Sequence, residues 1–164
     1  MSSVLELTGK MLRIGLSNGQ ALIPLCEELE HVECYMRIQQ IRLGKDFTYA
    51  IELPDVMRTF LVPKVILQPI VENSIRHGFH GLKGGHIHIC CQHIENHVTI
   101  TVEDNGAGLP NQSGHFKPTA DGGYGVYNIK ERLNAFFGSG NHFQIQNRIE
   151  GGVCVTLRLP FIEE

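Results

Sequence analysis

The segment LQPIVENSIRHG, residues 67–78, combines a helical apolar repeat with a cluster of polar side chains. Three of them, Asn73, Arg76 and His77, stand at positions i, i+3 and i+4 and therefore share one face of a helix. Pro69 predicts a kink or a fresh first turn within the segment. Two interpretations are open: a helix end that meets a ligand, or an exposed helix end with solvated polar groups.

Composition and charge narrow the class of protein. The 164 residues are enough for one domain with a substantial hydrophobic core. The net charge of −3 disfavours general binding to nucleic-acid backbones. The five cysteines are odd in number and lack C-x-x-C spacing, which fits a reducing cytosol. No apolar run of about 18 residues occurs, so the sequence predicts no transmembrane segment.

Apolar periodicity predicts the order of helices and strands. Helices are expected at residues 4–16, 24–43, 63–77 and 124–137. Strands are expected at residues 47–53, 86–93, 97–102, 142–149 and 153–159, with a hairpin turn at residues 95–96. Residues 111–123 form a long polar stretch without periodicity, which suggests a functional loop. This balance predicts an α+β fold, a two-layer α/β sandwich with helices on one face of a mixed, mostly antiparallel sheet.

Two glycine-rich motifs follow the asparagine helix. In DNGAG, residues 104–108, the two glycines let the backbone approach a ligand, and Asp104 can accept a hydrogen bond from an exocyclic amine. In GGYG, residues 122–125, the long loop becomes a helix, and free amides at a helix amino terminus suit a phosphate. Each motif alone is also typical of an ordinary turn or helix start. In this order, the three motifs form a specific constellation.

Together, LQPIVENSIRHG, DNGAG and GGYGVYNIKERL resemble the asparagine box and the two glycine boxes of the GHKL ATPase superfamily. IPLCEELEHVECYMRIQQIRLG resembles the segment that leads into the ATP-binding domain of LytS/YehU-type sensor histidine kinases. The resemblance covers residues 23–160. It implies the Bergerat fold, ATP and Mg²⁺ as cofactors, and transfer of the ATP γ-phosphoryl group to a histidine.

The resemblance also implies a role for each matching residue. Asn73 would coordinate Mg²⁺, and Arg76 and His77 would face the phosphates. Asp104 would bind the amine of adenine and so discriminate against guanine, which offers a carbonyl there. Glu72 is the nearby acid available as a general base.

The remaining nucleotide contacts implied by the resemblance come from glycines and one amide. These residues are Gly106, Gly108, Gly123, Gly125 and Asn128. Residues 111–122 would form a mobile lid over the nucleotide. The chain departs from the family pattern at Gly152 and Val153, where the family usually has glycine and threonine. One polar contact near the base is therefore expected to differ.

The sequence predicts two parts: residues 1–44 as a helical linker, the remnant of a dimerisation and phosphoacceptor region, and residues 45–164 as the catalytic ATP-binding domain. In the family, the acceptor histidine lies upstream in an H-F-x-x-N type motif, and nothing in residues 1–22 resembles it. The acceptor is therefore expected outside this fragment. His31, which has Glu30 and Glu33 as neighbours, is expected to be a solvated helix histidine.

The partners implied by the resemblance are ATP, the phosphoacceptor histidine region of the same protein and, indirectly, a response regulator. The full-length protein would be a homodimer anchored in the bacterial inner membrane, with this domain in the cytoplasm and with no nucleic-acid partner. The alternative is a GHKL-type regulatory or clamp module that binds ATP without phosphotransfer, because one fold serves several functions.

A metal site is a weaker alternative. His86, His88 and Cys90 alternate along one predicted strand face, and imidazole and thiolate ligands suit zinc. Three same-face positions spread over roughly 13 Å at about 3.3 Å per residue, which is too far to share one ion. The row is expected to be a solvent-facing histidine surface.

Overall fold

The computed structural model describes residues 3–43, 47–109 and 124–162. The predicted domain boundary between residues 44 and 45, the predicted loop and lid at residues 111–123, and Gly123 itself lie outside these ranges. None of the described helices combines the length and the apolar character needed to cross a membrane.

Within these ranges, helices and strands alternate along the chain. The helices are α1 (Val4–Leu16), α2 (Leu25–Leu43), α3 (Gln68–Asn73) and α4 (Tyr124–Phe137). The strands are β1 (Leu22–Pro24), β2 (Phe47–Glu52), β3 (Leu61–Pro63), β4 (Gly85–Ile94), β5 (His97–Asp104), β6 (His142–Asn147) and β7 (Val153–Pro160). Single turns of 3₁₀ helix lie between several of them.

Five strands form one mixed sheet in the order β2-β4-β5-β7-β6. β2 and β4 run parallel, and the other neighbouring strands are antiparallel. A parallel pair needs a long crossover connection, and the crossover from β2 to β4 contains β3 and α3. The predicted hairpin is confirmed, because β4 and β5 pair and Glu95 and Asn96 form the turn between them. The predicted α+β architecture is confirmed.

The hydrophobic core joins three helices to the sheet. β4 and β5 alternate buried and more exposed residues, and each of the three helices contributes apolar side chains. These are Leu25, Leu29, Val32 and Met36 of α2, Ile70 and Val71 of α3, and Ile129 and Leu133 of α4. Full burial of such a side chain contributes about 1.5–3 kcal/mol. α2 therefore shares the core of the sheet.

The third helix begins later than predicted. Residue 63, expected to start this helix, ends β3, which pairs antiparallel with β1 in a small second sheet. Val65 then adopts a left-handed φ of 54°, which no helix can continue through. α3 begins at Gln68, with Pro69 in its first turn, so the fresh first turn was the correct alternative. The turn that follows, Ser74–Gly78, is π-helical.

The prediction that His31 is solvated was wrong. His31 is 4% exposed in α2, and a Cβ on Gly15 of α1 would lie 3.7 Å from its Nε2 atom. The ring therefore packs between the two helices instead of pointing to water with its acidic neighbours. No described residue hydrogen-bonds its Nδ1 atom. Burial lowers the pKa of His31, because the charged ring would lose its hydration there.

Candidate functional site

Asp104 is the centre of the candidate site. It ends β5, is 4% exposed, and its carboxylate is held by donors from three separate segments. The Ser74 hydroxyl donates to Oδ2 at 2.7 Å, and the amides of Gly106 and Val153 donate to Oδ1 at 2.9 and 3.1 Å. Hydrogen bonds to a charged acceptor are strong, so these donors fix the orientation of the carboxylate.

The turn after α3 lies directly on the loop that follows β5. The amide of Ala107 donates to the carbonyl of Gly78 at 3.0 Å. A Cβ added to Gly106 would stand 2.5 Å from the Cα of Gly78, so only glycine permits this approach. The structure therefore brings together two of the predicted motifs, the asparagine helix and the first glycine motif.

The start of β7 completes the support of Asp104. A Cβ on Gly152 would overlap the carbonyl oxygen of Asp104, and Arg148 donates from Nη1 to the same oxygen at 3.0 Å. At residue 153 the chain departs from the family pattern only in the side chain. The main-chain amide of Val153 still donates to the Asp104 carboxylate. In this chain, the hydroxyl that reaches Asp104 comes from Ser74.

Asn73 lies at the end of α3, immediately before Ser74, and is half-buried. No described residue hydrogen-bonds its side-chain amide, and Arg76 and His77 are exposed in the turn that follows. No group of three or more metal-ligating side chains occurs among the described residues. Mg²⁺ that arrives with a triphosphate needs few protein ligands, and an amide oxygen is a hard ligand, so the residues present fit that ion.

Glu72 faces a different neighbour. Its carboxylate accepts a hydrogen bond from Gln68 at 2.9 Å. Tyr35 of α2 lies close by, and its pKa is raised to about 12 by burial and by the negative charge of Glu72. Glu72 is therefore held against the α2 side of α3 by contacts that do not involve Asp104.

The other glycine positions lie around the same region. A Cβ on Gly125, in the first turn of α4, would lie 3.3 Å from the Cβ of Pro69, so α4 begins against α3. Asn128 follows one turn later and is exposed. Gly108 has a left-handed φ of 81° and lies next to Asn147, whose side chain accepts a hydrogen bond from the amide of Leu109 at 2.7 Å. Of the predicted positions, Gly106 thus lies against Gly78 and Gly125 against Pro69, so the loop after β5 and the start of α4 both contact the α3 segment.

The histidine row on β4 makes other contacts. His88 pairs with Glu52 of β2 at 2.9 Å, and His86 hydrogen-bonds Thr48 at 2.7 Å. Cys90 lies 3.7 Å from the same Glu52 carboxylate. These are pairs across neighbouring strands, as the expectation of a polar surface row requires.

Sequence reasoning missed four supporting residues: Ser74, Asn147, Arg148 and Glu28. Ser74 directly follows Asn73 in the motif, and this position could have indicated that its side chain lies at the site. Asn147 ends β6 and Arg148 follows it, and they reach the site through the pairing of β6 with β7 and of β7 with β5, which local sequence does not encode.

Comparison with protein families supports the geometry. The profile of the family described as histidine kinase-, DNA gyrase B-, and HSP90-like ATPase matches residues 62–163. A second profile, described as histidine kinase, matches residues 1–47. The second match covers α1 and α2, and the first covers α3, α4 and strands β4 to β7.

Two curated relatives are similar over most of this chain. Sensor histidine kinase YesM of Bacillus subtilis is 29% identical over 161 residues, which cover 98% of this chain and 28% of YesM. Sensor protein LytS of Oceanobacillus iheyensis is 32% identical over 152 residues, which cover 87% of this chain and 26% of LytS. The chain thus spans little more than a quarter of the length of these relatives.

The fold is also that of solved kinase structures. The histidine kinase domain of a blue-light activated histidine kinase from Erythrobacter litoralis superposes with a TM-score of 0.65 at 16% identity, covering 98% of this chain and 76% of that one. At this identity, the likeness concerns the fold alone. The profile match over residues 62–163, more than half of the chain, shows that the chain belongs to the histidine kinase-, DNA gyrase B- and HSP90-like ATPase family.

Proposed function

We propose that this domain binds ATP with Mg²⁺ at the junction of α3, α4 and the β5 loop, and that it transfers the γ-phosphoryl group to a histidine outside this fragment. The observation that carries the proposal is the buried Asp104 carboxylate, which is bonded through Ser74 to the helix that ends in Asn73. One connected site thus has an acceptor for a base at one end and a hard oxygen ligand at the other.

At the base end, hydrogen-bond counting supports recognition of adenine. A carboxylate offers about four lone-pair positions. Among the described residues, three donors reach Asp104. One position therefore remains for a further donor, and the exocyclic amine of adenine is such a donor. Guanine presents a carbonyl oxygen at that point, which the carboxylate repels.

At the phosphate end, the chain offers positioning groups. Asn73 would hold the metal through its amide oxygen, and the exposed Arg76 and His77 lie in the next turn, where they can meet phosphate oxygens. Bound Mg²⁺ would supply neutralisation of the phosphate charge. Phosphoryl transfer depends mainly on positioning and on electrostatic stabilisation, so a few fixed side chains suffice. Glu72, whose carboxylate is held by Gln68, would act as an orienting group in the site and not as the general base.

The amino-terminal segment supports the proposal of a kinase dimer. α1 buries Leu7 and Ile14 against α2 and exposes a second apolar row on its opposite face. That row is Leu5, Leu12 and Leu16. An exposed apolar stripe on a helix is typical of an interface with another helix. In this proposal, residues 1–44 are part of the dimerisation and phosphoacceptor region, the response regulator acts downstream, and the full-length protein is anchored in the membrane.

The decisive experiment supplies a separate acceptor-histidine domain together with γ-labelled ATP and Mg²⁺. Label on that histidine, lost with Asn73→Ala, supports the kinase proposal. Tight ATP binding with no transfer to any supplied histidine domain would instead support a regulatory or clamp module. Failure to bind ATP in calorimetry would overturn both.

A further inference from the structure

The turn at residues 64–67, which precedes α3, is held by a fully buried carboxylate from α2. Glu28 is 0% exposed. It accepts hydrogen bonds from the amides of Val65 and Ile66 at 2.7 Å and from that of Leu67 at 2.9 Å. Burial of a carboxylate costs folding free energy unless hydrogen bonds satisfy it. The three consecutive amides supply these hydrogen bonds.

α4 holds the opposite side of the same turn. Arg132 donates from Nη2 to the carbonyl of Lys64 at 2.6 Å and from Nη1 to that of Val65 at 3.1 Å. The rigid fork of a guanidinium suits such paired acceptors. The amides of the turn thus donate to Glu28 of α2, and two of its carbonyls accept from Arg132 of α4.

The turn itself is strained. Val65 has a φ of 54°, although it is β-branched. A non-glycine residue in this region costs about 1–3 kcal/mol and persists only when its surroundings hold it in place. Glu28 and Arg132 restrain the turn from its two sides. Weakening the hydrogen bonds of either residue would let the turn leave the strained conformation of Val65.

The position of the turn determines the position of Asn73. Leu67, the last residue of the turn, accepts the first hydrogen bonds of α3 from the amides of Ile70 and Val71 at 3.1 Å each. α3 has six residues, which corresponds to a length of about 9 Å. So short a helix moves as a unit, and a shift at its start reaches Asn73 at its end.

We propose that Glu28 and Arg132 are positioning residues that set Asn73 relative to Asp104, and that they thereby couple the helix α2 to the affinity for the metal–nucleotide complex. This inference rests on the proposed function, because it concerns the same site. Burial raises the pKa of Glu28, and the three amides and the nearby Arg132 charge oppose that change. The acid and the base therefore act on one turn as a pair.

Calorimetry on the whole chain tests the inference with Glu28→Gln and Arg132→Lys. ATP is titrated once with Mg²⁺ and once with a chelator, because a displaced Asn73 affects only the metal-dependent part of binding. Glu28→Gln should weaken Mg–ATP binding about tenfold, which corresponds to about 1.4 kcal/mol, and Arg132→Lys about threefold. Binding of metal-free ATP should change much less. Glu27→Gln and Lys130→Ala, at exposed neighbouring positions, are the matched controls.

A second measurement separates positioning from simple support of the fold. Mg–ATP should slow hydrogen exchange of the α2 amides in the wild-type chain, and this protection should be smaller in Arg132→Lys, because the turn between α2 and α3 loses its hold from α4. If Glu28→Gln does not fold, Arg132→Lys alone decides the matter.

Three outcomes would overturn the inference: unchanged Mg–ATP affinity in Arg132→Lys, an equal loss with and without metal, or α2 protection that is undiminished in that variant. Absence of ATP binding in the wild-type chain is a different result. It would refute the proposed function itself, and the two failures are therefore distinguishable.

Discussion

Two buried carboxylates, Asp104 and Glu28, are each held by three hydrogen-bond donors, yet the donors come from different places. Those of Glu28 are three consecutive amides of one turn. Those of Asp104 are one hydroxyl and two amides from separate segments. Consecutive amides make a brace that serves the fold. Donors from separate segments instead fix an acceptor at the place where those segments meet.

The largest expected effect is on stability, at the brace. Glu28→Ala removes a fully buried charge and leaves three amides without their acceptor. Breaking a buried charged network costs about 3–5 kcal/mol, so the free energy of unfolding in urea should fall by that amount. Glu27→Ala, at an exposed position on the same turn of α2, is the control and should leave it nearly unchanged. Equal losses of unfolding free energy in Glu28→Ala and Glu27→Ala would show that the Glu28 carboxylate does not brace the turn.

The next effect is on binding, at Asp104. Asp104→Asn keeps the shape but removes the charge, so ATP affinity should fall by about 1.5–3 kcal/mol, roughly 10- to 150-fold. GTP affinity should not fall, because the repulsion of the guanine carbonyl is also removed. Calorimetry with both nucleotides measures this, with Asp55→Asn as an exposed control. An ATP preference that survives the substitution would mean that Asp104 does not read the base.

Ser74 sharpens the comparison, because its hydroxyl is the only side-chain donor among the described residues that bond the Asp104 carboxylate. Ser74→Ala should weaken ATP binding by about 1.5 kcal/mol, as expected for a lost hydrogen bond to a charged group. Adding Val153→Thr should restore part of that loss, since the new hydroxyl would stand at the family's usual place. A double variant no better than Ser74→Ala would refute this exchange of hydroxyls.

The smallest effect concerns His31, a buried titratable group without a hydrogen-bond partner for Nδ1 among the described residues. His31→Leu should raise the free energy of unfolding by about 1 kcal/mol, because it removes an unsatisfied polar atom. The pKa of His31 is lowered in the folded state, so its neutral form is favoured there and stability is lost as pH falls below the ordinary value of 6.5.

Urea unfolding of wild type and His31→Leu from neutral to acidic pH checks both statements. The pH dependence should be shallower in the variant. Parallel curves would show that other groups cause the loss of stability in acid.

Much of the fold could be predicted from the sequence because local pattern and final environment agree. Ile87, Ile89 and Val102 alternate in β4 and β5, and the finished sheet buries that same face. The motifs around Asn73 and Asp104 could be found for the same reason, since each motif is short and continuous.

Other features depend on contacts that are distant in sequence. β1 and β3 have three residues each, too few for a periodic signal, and they exist because they pair with each other. Glu28 has the appearance of a surface acid in a charged helix, and only the turn 37 to 39 residues later explains its burial. His31 likewise has the sequence surroundings of a solvated helix residue, but α1 covers it.

The β1–β3 pair has a mechanical consequence. It fastens the residues before α2 to the residues that lead to α3, and the amide of Leu25 is further tied to the carbonyl of Phe60 at 2.7 Å. A force on α1 therefore cannot move α2 away from the sheet without first breaking the pairing of β1 with β3. The natural pivot is the stretch Ser17–Gly19, where three successive residues have left-handed backbone angles. Rotation of α1 about that stretch would also have to break its packing on α2, where Leu7 and Ile14 are buried and Lys10 pairs with Glu30.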